Sequence, residues 1–395
     1  MSRLRLGTMC LVLAMLAAGV IVMRPVQAQD ASGTTQDLEE TGPLWAYAFS
    51  LPPAPGQSYN AMNLTRNNGI RTGETMEEAS KLWRAPGSDV MFSRLDLRSN
   101  DLATSDWFPG DHPTMPDVIR YPLKGPGEFN GESLDGNWSC GLCHLPNGKG
   151  RPENGPPAGQ PAAYILQQLD DFANGLRYTS DPRKRNTPLM IQMAQGMSAD
   201  EKLEAAQYFA AIPWTPWISV IETDLVPENH IAGPALPGGV NRDDFTGLDE
   251  GEFYEVTGTE PVEPIAGRIL ESPQDVHQAN YLRNSRSGWD AYVPLGSLAR
   301  GRDLVAGGGG KTVSCDVCHG ADLMGQGSMP GIAGRSPSYM MRQLWDMKQG
   351  TRRGPQAALM MPVIEELTVA DMTDIVAYLA SMMPLTEAGP MAAVP

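Results

Sequence analysis

Cysteine is scarce in this sequence, with five residues among 395. Cys10 lies in an apolar run near the N-terminus. The other four form two Cys-x-x-Cys pairs, Cys140 with Cys143 and Cys315 with Cys318. Exported proteins often join cysteines in disulfides, and four could form two of them. A disulfide framework does not explain why a histidine, His144 or His319, directly follows each pair.

Positive charge is also scarce. The chain has 30 Lys and Arg against 46 Asp and Glu, a formal net charge of −16 and a pI near 4.7. This balance argues against a nucleic-acid partner, because binding to phosphates needs a basic surface. Asp and Glu are concentrated in residues 243–255. The negative charge either keeps the protein soluble or steers it toward a basic protein partner.

Long hydrophobic runs are absent apart from residues 6–23. Arg3 and Arg5 precede this run, and Val26-Gln27-Ala28 follows it with small residues typical of a cleavage site. These features predict a signal peptide at residues 1–28 and a periplasmic protein. The competing interpretation is an uncleaved anchor, because 18 apolar residues can just span a bilayer. Only in that case would the protein be attached to a membrane.

The chain contains an internal repeat. The first Cys-x-x-Cys-His motif recurs 175 residues later, and the same offset carries further residues onto identical ones. These are Ala158-Gly159 and Ala333-Gly334, Tyr164 and Tyr339, Gln168 and Gln343, Asp171 and Asp346, and Arg177 and Arg352. The offset then drops to 170, at which Met190 matches Met360 and Tyr208 matches Tyr378. So many matches at a fixed spacing indicate two copies of one domain.

Each copy has the same predicted layout. A helix follows the motif, at residues 161–175 or 336–350, and a methionine-bearing loop comes next. A final helix begins at Ser198 or Thr368, which are favourable N-cap residues. The second copy also has a leading helix at residues 296–308. In the first copy, the capping-box pattern of Thr75 and Glu78 predicts an earlier helix in that role, followed by an insertion.

The predicted fold is mainly α, with two tandem helical domains, a long irregular N-terminal region and a long interdomain connector. The bounds are a signal peptide at 1–28, an N-terminal extension at 29–130, a first domain at 131–214, a connector at 215–292, a second domain at 293–385 and a tail at 386–395. A connector of this length in a compact protein is rarely featureless. We expect it to pack across both domains.

The Cys-x-x-Cys-His motif is the signature of covalent haem attachment. Two thiols three residues apart on a helical turn can each bond one vinyl group, and the next histidine then lies under the iron. Cys140, Cys143, Cys315 and Cys318 are therefore the predicted attachment residues, and His144 and His319 the predicted axial ligands. A single zinc site is disfavoured by the 175-residue separation, and a thioredoxin-like pair by the lack of a βαβ pattern.

The sixth ligand of each iron is predicted from the repeat. A methionine thioether raises the potential and closes the iron to outside ligands, which suits electron transfer. Met190 and Met360 occupy equivalent positions and are the predicted ligands. Met193 and Met361 are the alternatives, although neither is matched by a methionine in the other copy.

With these motifs, the sequence resembles the dihaem c-type cytochromes built from two fused class I domains. The resemblance covers residues 131–214 and 293–385 and implies two covalent haem c groups, helical haem domains in a pseudo-twofold pair, and periplasmic electron transfer. It also implies that a proline carbonyl holds each axial histidine, and Pro330 fits this pattern. The first copy has Gly155 there, beside Pro156. The long N-terminal region and connector depart from the family.

The predicted function is that of a dihaem electron carrier without substrate chemistry of its own. Its partners would be redox proteins, and the extra regions favour a dedicated partner or subunit of a periplasmic dehydrogenase or oxidase. The alternative is a dihaem peroxidase-like enzyme in which one sixth ligand is displaceable. The matched methionines argue against this alternative, because they fill the coordination shell of both irons.

We expect mass spectrometry of the purified protein to show two haem additions, because the chain has two attachment motifs. Extraction with acidified acetone should leave both additions in place, since thioether bonds survive that treatment. A single addition, or bound zinc, would contradict the assignment of both motifs.

Overall fold

The computed structural model describes residues 42–47, 75–98, 103–123, 128–129, 132–133, 138–181, 184, 186–231 and 254–383. The predicted signal peptide and C-terminal tail lie outside the described residues, as does most of the acidic stretch at 243–255. Among the helices of the described ranges, none combines the length and apolar character needed to cross a membrane.

Helices account for most of both copies, as the sequence predicted. The N-terminal region contains a 3-10 turn, Leu44–Tyr47, and the short helices α1 (Met76–Ala79), α2 (Arg94–Arg98) and α3 (Asp117–Arg120). The first copy contains α4 (Cys140–His144), α5 (Ala162–Ala173), α6 (Asn186–Gly196) and α7 (Ala199–Ala210). The second copy contains α8 (Ser297–Gly307), α9 (Asp316–His319), α10 (Pro337–Lys348), α11 (Pro355–Ile364) and α12 (Val369–Ser381).

The final helix of each copy begins where its capping residues predict. Ser198 caps α7 and forms a capping box with Glu201, and Thr368 does the same for α12 with Asp371. In each box the N-cap hydroxyl accepts from the backbone N–H three residues on, while the carboxylate accepts from the N-cap N–H. These reciprocal bonds satisfy amide donors that a helix start leaves unpaired.

The predicted leading helix of the first copy is wrong. The capping box of Thr75 and Glu78 does form, but α1 has only four residues. The chain leaves the helix at Ser80, and Trp83 then pairs with Phe92 in an isolated antiparallel bridge. Contact with α7 comes instead from the short helix α3. The sequence predicted the capping box of Thr75 correctly. The helix ended because the residues that follow it pair as the Trp83–Phe92 bridge.

Short strands lie between the helices. These are β1 (Glu128–Phe129) and β2 (Glu132–Ser133) before the first motif, and β3 (Ile218–Glu222), β4 (Leu225–Ile231), β5 (Tyr254–Pro264), β6 (Leu270–Pro273) and β7 (Trp289–Val293) in the connector. Strand β7 pairs in parallel with β3 and antiparallel with β6, in the order β3-β7-β6. Since β3 leaves the first copy and β7 leads into the second, this sheet joins the two ends of the connector.

The connector packs against both copies, which confirms the expectation from its length. Trp217 and Trp289 lie in the apolar core of the first copy, and Leu270 lies in that of the second. The guanidinium of Arg283 donates to the Leu142 carbonyl within the first motif. On the other side, Glu271 accepts a hydrogen bond of 2.9 Å from the hydroxyl of Ser336.

The 3-10 turn fastens the two copies together from the N-terminal side. The hydroxyl of Tyr47 donates to Asp346 Oδ1 at 2.6 Å, and the same oxygen accepts the Ser180 amide at 2.8 Å. Arg342 donates to the Ala46 carbonyl and to the Pro152 carbonyl, both at 2.6 Å. Burial raises the pKa of Asp346, and burial together with Asp346 raises that of Tyr47. One buried network therefore contains groups from the turn and from both copies.

Helix α8 crosses α12 at a point where only glycine fits. A Cβ added at Gly301 would lie 2.0 Å from the carbonyl oxygen of Asp374 and 2.8 Å from Cβ of Tyr378. Both contacts are shorter than real carbon contacts, so the two helix backbones would have to separate.

Gly301→Ala should therefore destabilise the second copy. The gain in helix propensity, ~1 kcal/mol, is outweighed by overpacking of ~1–3 kcal/mol or more. A lower midpoint of urea unfolding would show the effect. Gly307→Ala is the matched control, because Gly307 ends the same helix and an added Cβ meets no atom within 4 Å. Equal midpoints for the two variants would contradict the close crossing.

Candidate functional site

Each Cys-x-x-Cys-His motif lines its own cavity. The first cavity is lined by Cys140, Cys143 and His144. The second is lined by Cys315, Cys318 and His319. Because the two pairs line different cavities, they do not form one four-cysteine metal site.

Both motif histidines are held by a backbone carbonyl. His144 Nδ1 lies 2.7 Å from the carbonyl oxygen of Gly155, and His319 Nδ1 lies 2.7 Å from that of Pro330. A carbonyl can only accept, so Nδ1 carries the proton and Nε2 keeps its lone pair for a metal. Burial lowers the pKa of both imidazoles, which favours this neutral form.

The Gly155 carbonyl occupies the position of the proline carbonyl that the resemblance implies. The bond needs only a backbone oxygen, so glycine serves as well as proline. Space also favours glycine here, because an added Cβ would lie 2.9 Å from Cε2 of Tyr339. The geometry thus keeps the same histidine contact in both copies.

The four motif cysteines are free of disulfides, and their surroundings differ between the copies. Burial raises the pKa of the Cys140 thiol to about 12 and that of Cys315 to about 11. Leu142, inside the first motif, is 6% exposed, whereas its counterpart Val317 is 69% exposed. The first motif is therefore covered and the second lies at the surface.

The cover over the first motif comes from the N-terminal region. A Cβ added at Gly141 would lie 2.9 Å from Cγ2 of Thr104 and 3.1 Å from the carbonyl oxygen of Ile119. Thr104 also shares a 2.5 Å hydrogen bond with Ser139, the residue before the motif. At the position equivalent to Gly141, the second copy has Asp316, which is exposed. Sequence reasoning missed this cover, because it depends on contacts distant along the chain.

The predicted methionines line the cavities, but they lie on helices and not on the expected loops. Met190 is in α6 and Met360 is in α11, each partly buried. In the second copy the geometry favours Met360, because Met361 is 38% exposed and does not line the cavity. In the first copy both Met190 and Met193 line the cavity. The sixth-ligand assignment stays a prediction.

The backbones of the two copies pair directly between the cavities. Arg177 and Arg352 form an antiparallel bridge. The Tyr178 amide donates to the Thr351 carbonyl at 2.9 Å, and the Arg353 amide donates to the Leu176 carbonyl at 2.8 Å.

The side chains of the bridge arginines cross to the other copy. Arg177 Nη2 donates to the Tyr339 hydroxyl at 3.2 Å and to Gln343 Oε1 at 2.8 Å. Arg352 Nη2 donates to the Tyr164 hydroxyl and to Gln168 Oε1, both at 3.0 Å. Each residue in one set has its repeat equivalent in the other, so the contact has pseudo-twofold symmetry. The pairing implied by the family resemblance is therefore present.

The residues around the cavities fit a large, mostly apolar cofactor that carries acidic groups. Besides the histidine and cysteines, each cavity is lined by apolar side chains such as Leu169 and Phe209 in the first and Leu344 and Ile375 in the second. Arg352 lines the second cavity, and its Nε is buried without an acceptor among the described residues. Such an orphaned buried donor is rare in a complete structure. Haem, with an apolar ring and carboxylates, matches this set.

Comparison with known proteins points the same way. The family profile described as cytochrome c matches residues 298–383, within the predicted second domain. A thiosulfate dehydrogenase electron acceptor from Stutzerimonas stutzeri is 33% identical over 247 residues, which are 62% of this chain and 79% of that protein. Cytochrome c-552 from Acidithiobacillus ferridurans is 39% identical over 69 residues, and this match covers 18% of the chain and only 29% of that protein.

A solved structure of cytochrome c4 from Acidithiobacillus ferrooxidans is 20% identical in sequence. The superposition covers 61% of this chain and 97% of that one, with a TM-score of 0.36.

Met360→Ala should remove half of the weak near-infrared methionine-to-iron band and lower one reduction potential, because a thioether ligand raises the potential. Met361→Ala is the matched control and should leave both unchanged, since its side chain is exposed. In the first copy, Met190→Ala should remove the other half and Met193→Ala none. Loss of the band in Met193→Ala or Met361→Ala would contradict the register inferred from the repeat.

Proposed function

This chain belongs to the family of dihaem c-type cytochromes, and we propose that it accepts electrons from a thiosulfate dehydrogenase and passes them to a second redox protein. It carries two covalently bound haem c groups and transfers electrons. The identity of the donor is the proposed part. A relative that is 33% identical over 62% of this chain is named as a thiosulfate dehydrogenase electron acceptor, which supports the proposal.

In this proposal, haem iron supplies one-electron redox chemistry when bound. Cys140 and Cys143 attach the first group, and Cys315 and Cys318 attach the second. The Nε2 atoms of His144 and His319 would bind the iron of these groups, with Nδ1 fixed by the carbonyl bonds described above. Met190 and Met360 would each supply a second protein ligand to an iron. Closure by methionine suits an electron carrier better than a peroxidase-like enzyme, which needs an open position.

The observation that carries the donor proposal is the 33% identity to a thiosulfate dehydrogenase electron acceptor over 62% of this chain. Electron transfer between the two centres is supported by the cavities, which share part of their lining. Gln160, Tyr164, Tyr339 and Gln343 line both of them. The two cavities therefore adjoin, and the crossed arginines hold Tyr164 and Tyr339 in place between them. Electrons that enter at one centre can reach the other without leaving the protein.

The surface around the second motif is the proposed docking site for a redox partner. Val317 and Cys318 are exposed, and the exposed residues Val313 and Leu359 line the mouth of the second cavity. The first motif offers no such surface, because its Leu142 is buried. The net charge of −16 favours a partner that is basic around its own apolar contact. The apolar N-terminal segment, with its predicted cleavage site, supports a periplasmic location.

Rapid-mixing kinetics with a thiosulfate dehydrogenase test the identity of the electron donor. The oxidised protein should be reduced by thiosulfate only when a thiosulfate dehydrogenase is present, and the reduced protein should not bind carbon monoxide. If a small basic cytochrome reduces the protein and the dehydrogenase does not, the proposed electron donor is wrong. The assignment as an electron-transfer protein would still hold. Ready binding of carbon monoxide would instead favour the peroxidase-like alternative.

Val317→Asp should slow reduction by the partner ~10-fold, because a charge in a desolvated contact costs more than ~1 kcal/mol of binding. Leu203→Asp is the control, since Leu203 is an exposed residue of α7 that lines neither cavity. Both variants should keep the haem spectrum of the parent protein. Equal rates for the two variants would place the docking site elsewhere.

A further inference from the structure

The two cofactor cavities differ in how far they open to solvent. None of the described residues that line the first cavity is exposed, whereas the second cavity is lined in part by the exposed residues Val313, Cys318 and Leu359. The cysteine motifs show the same difference, because Leu142 in the first is buried and Val317 in the second is exposed. The described residues therefore enclose the first centre and leave an open edge at the second.

The enclosure of the first motif is built by residues outside the repeat. Thr104 and the carbonyl oxygen of Ile119 leave no room for a side chain at Gly141, inside the motif. From the connector, the guanidinium of Arg283 donates to a carbonyl of the same motif. The cover over the first motif is therefore defined as residues 103–121 together with Arg283.

Further contacts fasten the cover to the connector. The indole N–H of Trp107 donates to the Leu282 carbonyl at 2.8 Å. Arg286 Nη2 donates to Asp111 Oδ1 at 2.6 Å, and its guanidinium lies 3.8 Å over the ring of Phe108. Trp107, Phe108 and Leu282 are buried in one apolar cluster. Because its side chains form a core with the connector, the cover is a packed part of the fold.

The repeat shows that the motif itself does not require this cover. Gly141 and Leu142 correspond to Asp316 and Val317 of the second copy, and both of the latter are exposed. The hydrogen bond from the motif histidine to a backbone carbonyl is nevertheless 2.7 Å in both copies. Closing the first motif therefore adds nothing to the placement of its histidine.

We propose that the cover closes the first centre to redox partners, so that electrons enter and leave the protein only through the second centre. This inference rests on the proposed electron-transfer function and on docking at the second motif. Transfer between two proteins requires their centres to approach closely, and the cover keeps a partner away from the first motif. Electrons then reach the first centre only from the second, across the wall that contains Tyr164 and Tyr339.

Rapid mixing of the oxidised holoprotein with a reduced small basic cytochrome c tests the proposal, and the absorbance change reports the reduction of both haems. With the second centre as the only entry, Val317→Asp should slow the whole absorbance change ~10-fold, because a charge buried in the docking contact weakens binding of the partner. If half of the absorbance change keeps the parent rate, the first centre has an entry of its own and the proposal is overturned.

Gly141→Asp supplies the complementary test, because the added side chain has no room beneath the cover and must displace it. The second copy has aspartate at the equivalent position, so a motif of this kind accommodates it. Combined with Val317→Asp, this change should return at least half of the absorbance change to the parent rate. Gly196→Asp combined with Val317→Asp is the matched control and should stay slow, since Gly196 is exposed at the end of α6 and an added Cβ meets no atom within 4 Å.

The outcomes separate this proposal from the function on which it rests. Slow reduction of the Gly141→Asp double variant with both haems attached would show that the cover does not block the first centre. Parent rates in Val317→Asp would place the entry elsewhere and overturn the proposal, and this single variant decides the matter even if Gly141→Asp does not fold. A parent protein that neither the cytochrome nor a thiosulfate dehydrogenase reduces would instead contradict the proposed function.

Discussion

The exchange of arginine side chains between the two copies is the contact on which the site depends. Arg177 and Arg352 are buried, and each bonds neutral hydroxyl and amide groups of the opposite copy. Hydrogen bonds that involve a charged group are about twice as strong as neutral ones. They fix Tyr164 and Tyr339 between the cavities, and this places the two cofactor sites side by side.

Much of the repeat could be predicted from the sequence, because its signals are local. The motif spacing singled out Cys140 and Cys315, which do line the two cavities. Capping residues placed the starts of α7 and α12 correctly. Glycines mark the ends of α5 and α10, where Gly175 and Gly350 take positive φ values of 66° and 71°. Such features depend on a few neighbouring residues, so they can be predicted from one sequence alone.

The errors arose where distant residues decide the structure. The methionine segments were predicted as loops, yet they form α6 and α11, which contain Pro188 and Pro362 and line the cavities. The strands of the connector could not be paired from sequence, since β3 and β7 are joined across most of its length. Arg335 carried no recognisable signal in the sequence, and only the structure reveals that it is buried and donates to the Pro156 and Ala158 carbonyls of the first copy.

The bond between Tyr47 and Asp346 joins residues 299 positions apart, and this separation has a consequence for the order of assembly. Contacts of such long range form late, because the intervening chain must first be made and brought together. The wall of the first cavity includes Tyr339, Arg342 and Asp346 of the second copy. As the chain is made, the first motif therefore precedes the residues that complete the wall of its cavity. The first motif is therefore open until those residues are in place, although in the folded protein it is the more enclosed of the two.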